Sequence, residues 1–468
     1  MSEPKTKGEE LKEALCYQPK NLTETMTKEE LEQAFDFCEG YKDFLNAAKT
    51  EREVVAKAVE LLQQEGFVPF DPETAYAPGD RVYWNNRGKA LLIATIGKKS
   101  LAQGAHINAA HIDSPRLDLK PNPLYEQGQL ALMKTHYYGG IKKYQWATVP
   151  MSLHGVIVKK NGEKVQVRIG DEPGDPVFCV TDLLIHLAGE QMQRTLAKGI
   201  QGEELNLLCG SISLEDSKVP ERVKLNILNL LHEKYGIIEE DFLSAELEAV
   251  PAYEMRDLGF DRSMIGGYGQ DDRVCAYLAL MAALDCKDPE TTLITVLADK
   301  EEIGSEGNTG LNSDMLRYFA ADLAKPYGID GRRVLMNSQC LSSDVNGAFD
   351  PTFADAFEKN NTCFLNYGVC LAKYTGSPGK GGSNDASAEF IGEIRKILDE
   401  NKVGWQTGEL GKVDQGGGGT VAMMIANLGV DVVDLGVPVL SMHSPFEVTA
   451  KVDVYMAYKA FGAFANQK

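Results

Sequence analysis

The 468-residue chain is 43% hydrophobic and 25% charged, the balance of a globular protein of two or three domains and not of a disordered or fibrous one. Its 48 Lys and Arg stand against 68 Asp and Glu, a formal charge of -20, which argues against nucleic acid or an anionic membrane as the main partner. No apolar run reaches the roughly 18 residues of a membrane span and the opening MSEPKTKGEE lacks the apolar core of a signal peptide, so the expected compartment is the cytoplasm.

Two helices open the chain, each announced by a capping box, Thr27-x-x-Glu30 and Thr50-x-x-Glu53, and the second ends near Gly66. Strand patterns follow at Lys89 to Ile96 and Gly104 to His111, where Pro115 stops further pairing. From about Pro115 to Pro251 the texture turns to short β-like runs. His154 to Lys159 and Lys164 to Ile169 flank Asn161-Gly162, a two-residue hairpin signal. Asp182 to Leu187 reads as a helix start, and the acidic, helix-prone stretch Glu221 to Glu248 closes the segment. This segment is expected to be an inserted, β-rich domain.

After Pro251 the spacing predicts a helix over Asp272 to Leu284, a strand over Thr291 to Leu297, a helix near Ser313 to Leu323, a strand over Arg333 to Asn337, a helix over Asp385 to Glu400 and a strand over Val430 to Leu435. Strands alternating with helices imply an α/β fold with a mostly parallel sheet covered on both faces. The expected division is therefore a discontinuous catalytic domain, 1–114 with 252–468, interrupted by residues 115–251.

The nine cysteines are scattered without C-x-x-C spacing, so neither a disulfide framework nor a structural zinc knuckle is indicated. Functional groups in open α/β sheets gather at the carboxyl ends of strands, and this chain places acids and histidines there. They are His111 and Asp113, Asp271-Asp272, Glu301-Glu302, Asp344 and His443, although only seven histidines exist in all. A lone Glu-Glu or Asp-Asp pair is ordinarily the solvated start of a helix. Here Asp299 to Glu302 follow an apolar strand directly, where burying charge is costly unless it is paired. Amide hydrolysis at neutral pH needs a strong nucleophile and a sink for negative charge, which two metals sharing a water supply, and two His, two Asp and one Glu meet the ligand count of such a site. Asp113, two residues beyond His111, is placed to accept the other ring N–H and fix the tautomer.

The segments Ala109-Ala-His-Ile-Asp-Ser-Pro115, Gly269-Gln-Asp-Asp-Arg273, Asp299-Lys-Glu-Glu-Ile-Gly304, Ser342-Ser-Asp344 and Leu440-Ser-Met-His-Ser444 together resemble the aspartyl aminopeptidase family, which includes vacuolar aminopeptidase I. The resemblance runs in order over nearly the whole chain. It implies that Asp271 bridges two divalent ions, most simply Zn2+ with Co2+ or Mn2+ as alternatives. His111 and Asp344 complete one position, Glu302 and His443 the other, and Glu301 is the general base. It also implies a tetrahedral dodecamer assembled through the inserted domain, with His186 reaching a neighbouring subunit's site.

The family name implies Asp or Glu at the substrate's N-terminus, and Lys373 and Lys380 are the cations available for an acidic side chain. Some members prefer neutral residues. The run Gly416 to Gly419 lacks the Lys-Ser/Thr of a phosphate loop, and Gly418 is expected to line the substrate cleft. A carboxypeptidase or deacylase on the same scaffold would carry its insertion elsewhere in the chain. A catalytically silent assembling scaffold would not need every ligand type retained.

Overall fold

The structure, a computed structural model, describes residues 5–376 and 378–467. Thr27 and Thr50 cap their helices as the boxes require, each hydroxyl accepting the amide N–H three residues on while that glutamate accepts the threonine N–H. The helices run Lys28–Ala47 and Glu51–Gln64.

A nine-stranded mixed sheet forms the centre. Strands Leu293–Ala298, His106–His111, Gln339–Ser342 and Asp431–Gly436 lie side by side and parallel, flanked on both sides by antiparallel neighbours. Every residue of Ala90–Thr95, His106–His111 and Leu293–Ala298 is buried, as expected of strands covered on both faces. Alternate residues feed two separate cores. Leu91, Ile93, Leu297 and Leu341 join the helices Lys28–Ala47, Glu51–Gln64, Gln270–Asp285, Ala388–Glu400 and Lys451–Ala465. Leu92, Ala94, Val296 and Cys340 join Met315–Ala324, Gly331–Met336 and Ala422–Ala426 on the other face. The helix Gln270–Asp285 is apolar nearly all round, and it is buried nearly all round.

Residues 116–251 supply all strands of a seven-stranded antiparallel sheet with its own core, against which Arg222–Tyr235 packs. A smaller five-stranded sheet includes Met264–Gly267, Pro438–Leu440 and Glu447–Ala450. Gln270 and Asp271 follow Met264–Gly267 and the turn holding His443 precedes Glu447–Ala450; because Gly267 pairs with Glu447, both lie at the same end of this sheet.

Several local expectations are corrected. Arg333 to Asn337 is not a strand: Gly331–Met336 is a helix, because Asp330 caps the Arg332 N–H, and the strand begins at Gln339. Asp182 to Leu187 forms only a single 3-10 turn, Ile185–Leu187. The hairpin at Asn161-Gly162 has a five-residue loop, since Val158 pairs with Lys164. Glu221 to Glu248 divides between the helix Arg222–Tyr235 and the strand Ala245–Pro251.

Candidate active site

Three adjacent parallel strands end at the same edge. His111 closes His106–His111, Glu301 and Glu302 occupy the 3-10 turn after Leu293–Ala298, and Asp344 lies two residues beyond Gln339–Ser342. Gly436 lets the neighbouring strand close on this edge, because a Cβ there would overlap the Asp344 carbonyl oxygen. Asp271 arrives in the first turn of Gln270–Asp285 and His443 from the turn between two strands of the small sheet.

The side chains converge. His111 Nε2 lies 3.2 Å from Asp271 Oδ1, 3.7 Å from Asp344 Oδ1 and 3.9 Å from Glu301 Oε2. His443 Nε2 lies 3.0 Å from Asp271 Oδ2 and 3.4 Å from Glu302 Oε1. The two oxygens of Asp271 thus face two different imidazoles. Asp272, beside it, is fully buried with neither carboxyl oxygen bonded.

Each imidazole is oriented from its far nitrogen. His111 Nδ1 is 3.0 Å from the Asp113 carbonyl oxygen and 3.3 Å from Asp113 Oδ1, so the backbone shares the role expected of the carboxylate. His443 Nδ1 is 2.8 Å from the Gly140 carbonyl. Both leave Nε2 as the nitrogen turned toward the carboxylates.

Burial governs the electrostatics. Burial, with the charges of Asp344, Asp271 and Asp113, pushes Glu301 up to about 8 against the opposing pull of His111. Burial and Asp271 hold Glu302 well above the usual carboxylate range, and Asp344 is raised to about 6. Burial alone would lower His443, but its hydrogen bond to Asp271 and the Asp271 and Glu302 charges raise it to about 10. Too much negative charge is gathered here for the protein's own cations to neutralise. His111 Nε2, Asp271 Oδ1 and Glu302 Oε1 are also buried without a hydrogen-bond partner. Groups of His111, Glu301 and Asp344, and of His111, Asp271 and Glu302, bring donor atoms within 4.8 Å of one another. Imidazole and carboxylate donors with orphaned atoms aimed at one another fit a divalent ion such as zinc.

These residues open onto a cleft of about 470 Å³, lined also by Gly418, Thr420, Met423, Met424, Asp434 and Leu410. A second cavity, about 750 Å³, shares Gly140, Leu410, Met442 and His443 with it. Gly418 is where the glycine run is expected to be. Lys373 is not among the lining residues: its ammonium is 2.7 Å from Asp385 Oδ1, and Lys380 binds the other oxygen at 3.2 Å. His186 is exposed, in a turn away from the cleft of its own chain.

The description "Aminopeptidase I zinc metalloprotease (M18)" fits a family whose model matches residues 44–465. The chain belongs to the M18 aminopeptidase family. A probable M18 family aminopeptidase 1 from Clostridium acetobutylicum is 50% identical over 455 residues, spanning 96% of this chain and 98% of that protein. The crystal structure of an M18 aminopeptidase from Thermotoga maritima superposes with a TM-score of 0.91 at 45% identity, covering 97% of this chain and 100% of that one. The yeast mApe1 dodecamer, at 20% identity, a TM-score of 0.74 and coverage of 92% and 96%, shares the fold. As an M18 enzyme the protein is a metallo-aminopeptidase of a zinc family.

Two residues of this M18 site escape sequence reasoning. Glu447 accepts the Gln270, Asp271 and His443 N–H groups at 2.6, 3.1 and 2.7 Å, tying two donor residues to one carboxyl. Tyr138 donates to Asp113 Oδ2 at 2.8 Å. Glu447 has a faint signal, a charged residue opening a short β-branched strand close behind His443; Tyr138 has none.

Proposed function

We propose that this aminopeptidase removes the N-terminal residue of peptides with two divalent ions per subunit. In this reading Asp271 bridges, His111 and Asp344 complete one position, and Glu302 and His443 the other. The observation that carries it is Asp271, whose two oxygens address His111 and His443 separately while Asp272 addresses neither. Bound there, the ions would polarise the scissile carbonyl and bring the pKa of a shared water toward neutrality. Glu301 accepts the proton of the attacking water and returns it to the departing amine; a carboxyl held high by burial suits that shuttle near neutral pH. Asp113 keeps the His111 Nδ1 proton in place, and the Gly418 backbone lets substrate approach closely.

For the substrate's first side chain, a neutral or apolar residue fits the cleft better than the acidic one implied by the family name. Met423, Met424 and Leu410 line it with Asp434, no Lys or Arg is among the described lining residues, and Lys373 and Lys380 are both engaged by Asp385. The assay that decides compares Asp, Glu, Leu, Ala and Lys aminoacyl substrates with zinc, cobalt and manganese. Asp or Glu turning over fastest would restore the acidic reading. A purified protein with less than about one metal equivalent, inert after metal addition, would favour the silent scaffold.

Residues 115–251 act in this proposal as a dimerisation and lid domain of a homo-oligomer, a tetrahedral dodecamer, that delivers His186 to a neighbour's cleft. Around His186 the side chains of Leu184, Ile185, Leu187, Met192 and Leu196 are all more than half exposed, which is characteristic of an interface. A monomer by light scattering at micromolar concentration would overturn assembly and the role of His186 together. Among the described residues no helix is long and apolar enough to cross a membrane, and all nine cysteines are free, which fits the cytoplasm.

A further inference from the structure

The turn Glu301–Ile303 has no cap of its own. Lys300 precedes it in a left-handed conformation, φ 67°, and makes no side-chain cap bond. The first amides of the turn are instead capped from the loop that follows His106–His111: Glu301 N–H reaches Asp113 Oδ1 at 3.1 Å and Glu302 N–H reaches Asp113 Oδ2 at 3.2 Å. One carboxylate therefore fixes the backbone of both glutamates. Its own orientation is fixed by two more donors, one on each oxygen. His111 Nδ1 stands 3.3 Å from Oδ1, and the Tyr138 hydroxyl donates to Oδ2 at 2.8 Å, the shortest of the four contacts.

Tyr138 ends the strand Leu130–Tyr138 of the seven-stranded sheet, so this donor reaches the site from outside the central sheet. It is buried, and its ring is clamped. Arg116 is its directly opposed cross-strand partner, with the guanidinium carbon 3.9 Å from the ring centroid. Arg116 is in turn held by Glu51 at 3.1 Å, Asp118 at 2.8 Å and Glu248 at 3.4 Å. Glu51 opens the helix Glu51–Gln64, so the clamp is anchored in both the helical layer and the antiparallel sheet.

We propose that Tyr138 is a positioning residue for the Glu301–Glu302 turn, acting through Asp113, so that the seven-stranded sheet sets the geometry of the reacting groups. The proposal rests on the roles given to Glu301 and Glu302 above. Without the hydroxyl, Asp113 Oδ2 keeps only the Glu302 amide and the carboxylate is freer to rotate, and displacement of about 1 Å at reacting groups is enough to cost up to a hundredfold in rate.

The test uses Tyr138→Phe beside a matched control, Tyr268→Phe. The Tyr268 hydroxyl donates to the Pro115 carbonyl at 3.0 Å, at the same junction but on backbone alone. Hydrogen exchange of the peptide covering 299–305 is followed in the metal-free full-length protein, and kcat and KM are measured in the metal-loaded one. In Tyr138→Phe the exchange of this peptide is expected to accelerate about tenfold, with kcat falling about tenfold and KM staying within about twofold. Tyr268→Phe is expected to stay within about twofold in all three, and the two melting temperatures to agree within a few degrees. Unchanged exchange in Tyr138→Phe overturns the proposal whatever the activity, and so does accelerated exchange with an unchanged kcat. An equal loss in Tyr268→Phe overturns it too, since the cause is then a general loosening of the junction. If the wild-type protein hydrolyses no aminoacyl substrate, the functional reading fails, while the metal-free exchange still decides whether Tyr138 holds the turn.

Discussion

Two buried clusters of charge solve the same problem in opposite ways. Where the seven-stranded sheet meets the helix Glu51–Gln64, His154 Nδ1 is 2.8 Å from Glu53, His154 Nε2 is 3.1 Å from Asp171, and Lys49 is 2.7 Å from Asp171. Burial opposes ionisation there, but these contacts hold both carboxyls below their ordinary range and His154 above its own. In the cleft the carboxyls of Glu301, Glu302 and Asp344 move the other way, upward. The first cluster is closed by its own cations; the second is left short of positive charge. Asp271 goes the other way from its cleft neighbours, held low against burial by its hydrogen bonds to His111 and His443, while Glu248 and Asp453, outside the cleft, are raised by burial; the direction of a shift follows the cations at hand.

The sharpest way to break this comparison is at Glu301. Glu301→Gln should keep metal, measured by elemental analysis, and lower kcat by about 10² to 10⁴-fold, the range of a lost general base. Full activity would remove Glu301 from that role. Chelation should abolish activity and lower the melting temperature, and restored zinc at about a thousandfold above its Kd should return about 4 kcal/mol of stability. Asp271→Ala should lose metal where Asp272→Ala does not. Chelation should leave no trace on the His154 cluster.

That cluster should answer to His154→Gln instead, with a loss of about 3 kcal/mol on breaking a buried pair and kcat per folded molecule unchanged. Its pH dependence has a definite sign. Glu53 and Asp171 are held below their unfolded values of 4.5 and 3.8, so their contribution is present above those values and is lost as pH falls through the folded ones. His154 is held above 6.5, so its contribution is full below 6.5 and is lost as pH rises through the folded value. The difference in melting temperature between wild type and His154→Gln should therefore be largest near pH 5 to 6 and shrink toward pH 9. The smallest effect is expected of Lys373→Ala: its ammonium is exposed and committed to Asp385, and kcat/KM for Asp and Leu substrates should change by less than about twofold. A selective collapse for Asp substrates would return Lys373 to the specificity pocket.

Much of the scaffold is legible in the chain because its signals are local. The capping boxes at Thr27 and Thr50 and the apolar run ending at Ala298 need only their neighbours in sequence. Arg333 to Asn337 misleads because its apolar residues suit either period, and a cap from Asp330 together with the close packing of Gly331 on Ala321 settles the helix. The residue types gathered in the cleft are visible as acids and histidines after strands, whereas their partners are not. Tyr138 meets Asp113 only through the register that sets Arg116 opposite Tyr138, and Gly140 meets His443 only after two sheets have docked. Lys373 looks like a binding cation until Asp385, twelve residues on, is seen to occupy it.

The bond from His443 to the Gly140 carbonyl joins residues 303 apart in sequence. A contact of that separation carries a high loop-closure cost and forms late, after the intervening segments have their own structure. If His443 is a ligand as proposed, a chain on the ribosome lacks a full set of donors until the segment carrying His443 has emerged and docked against Gly140, so that capture of the ion reports that docking.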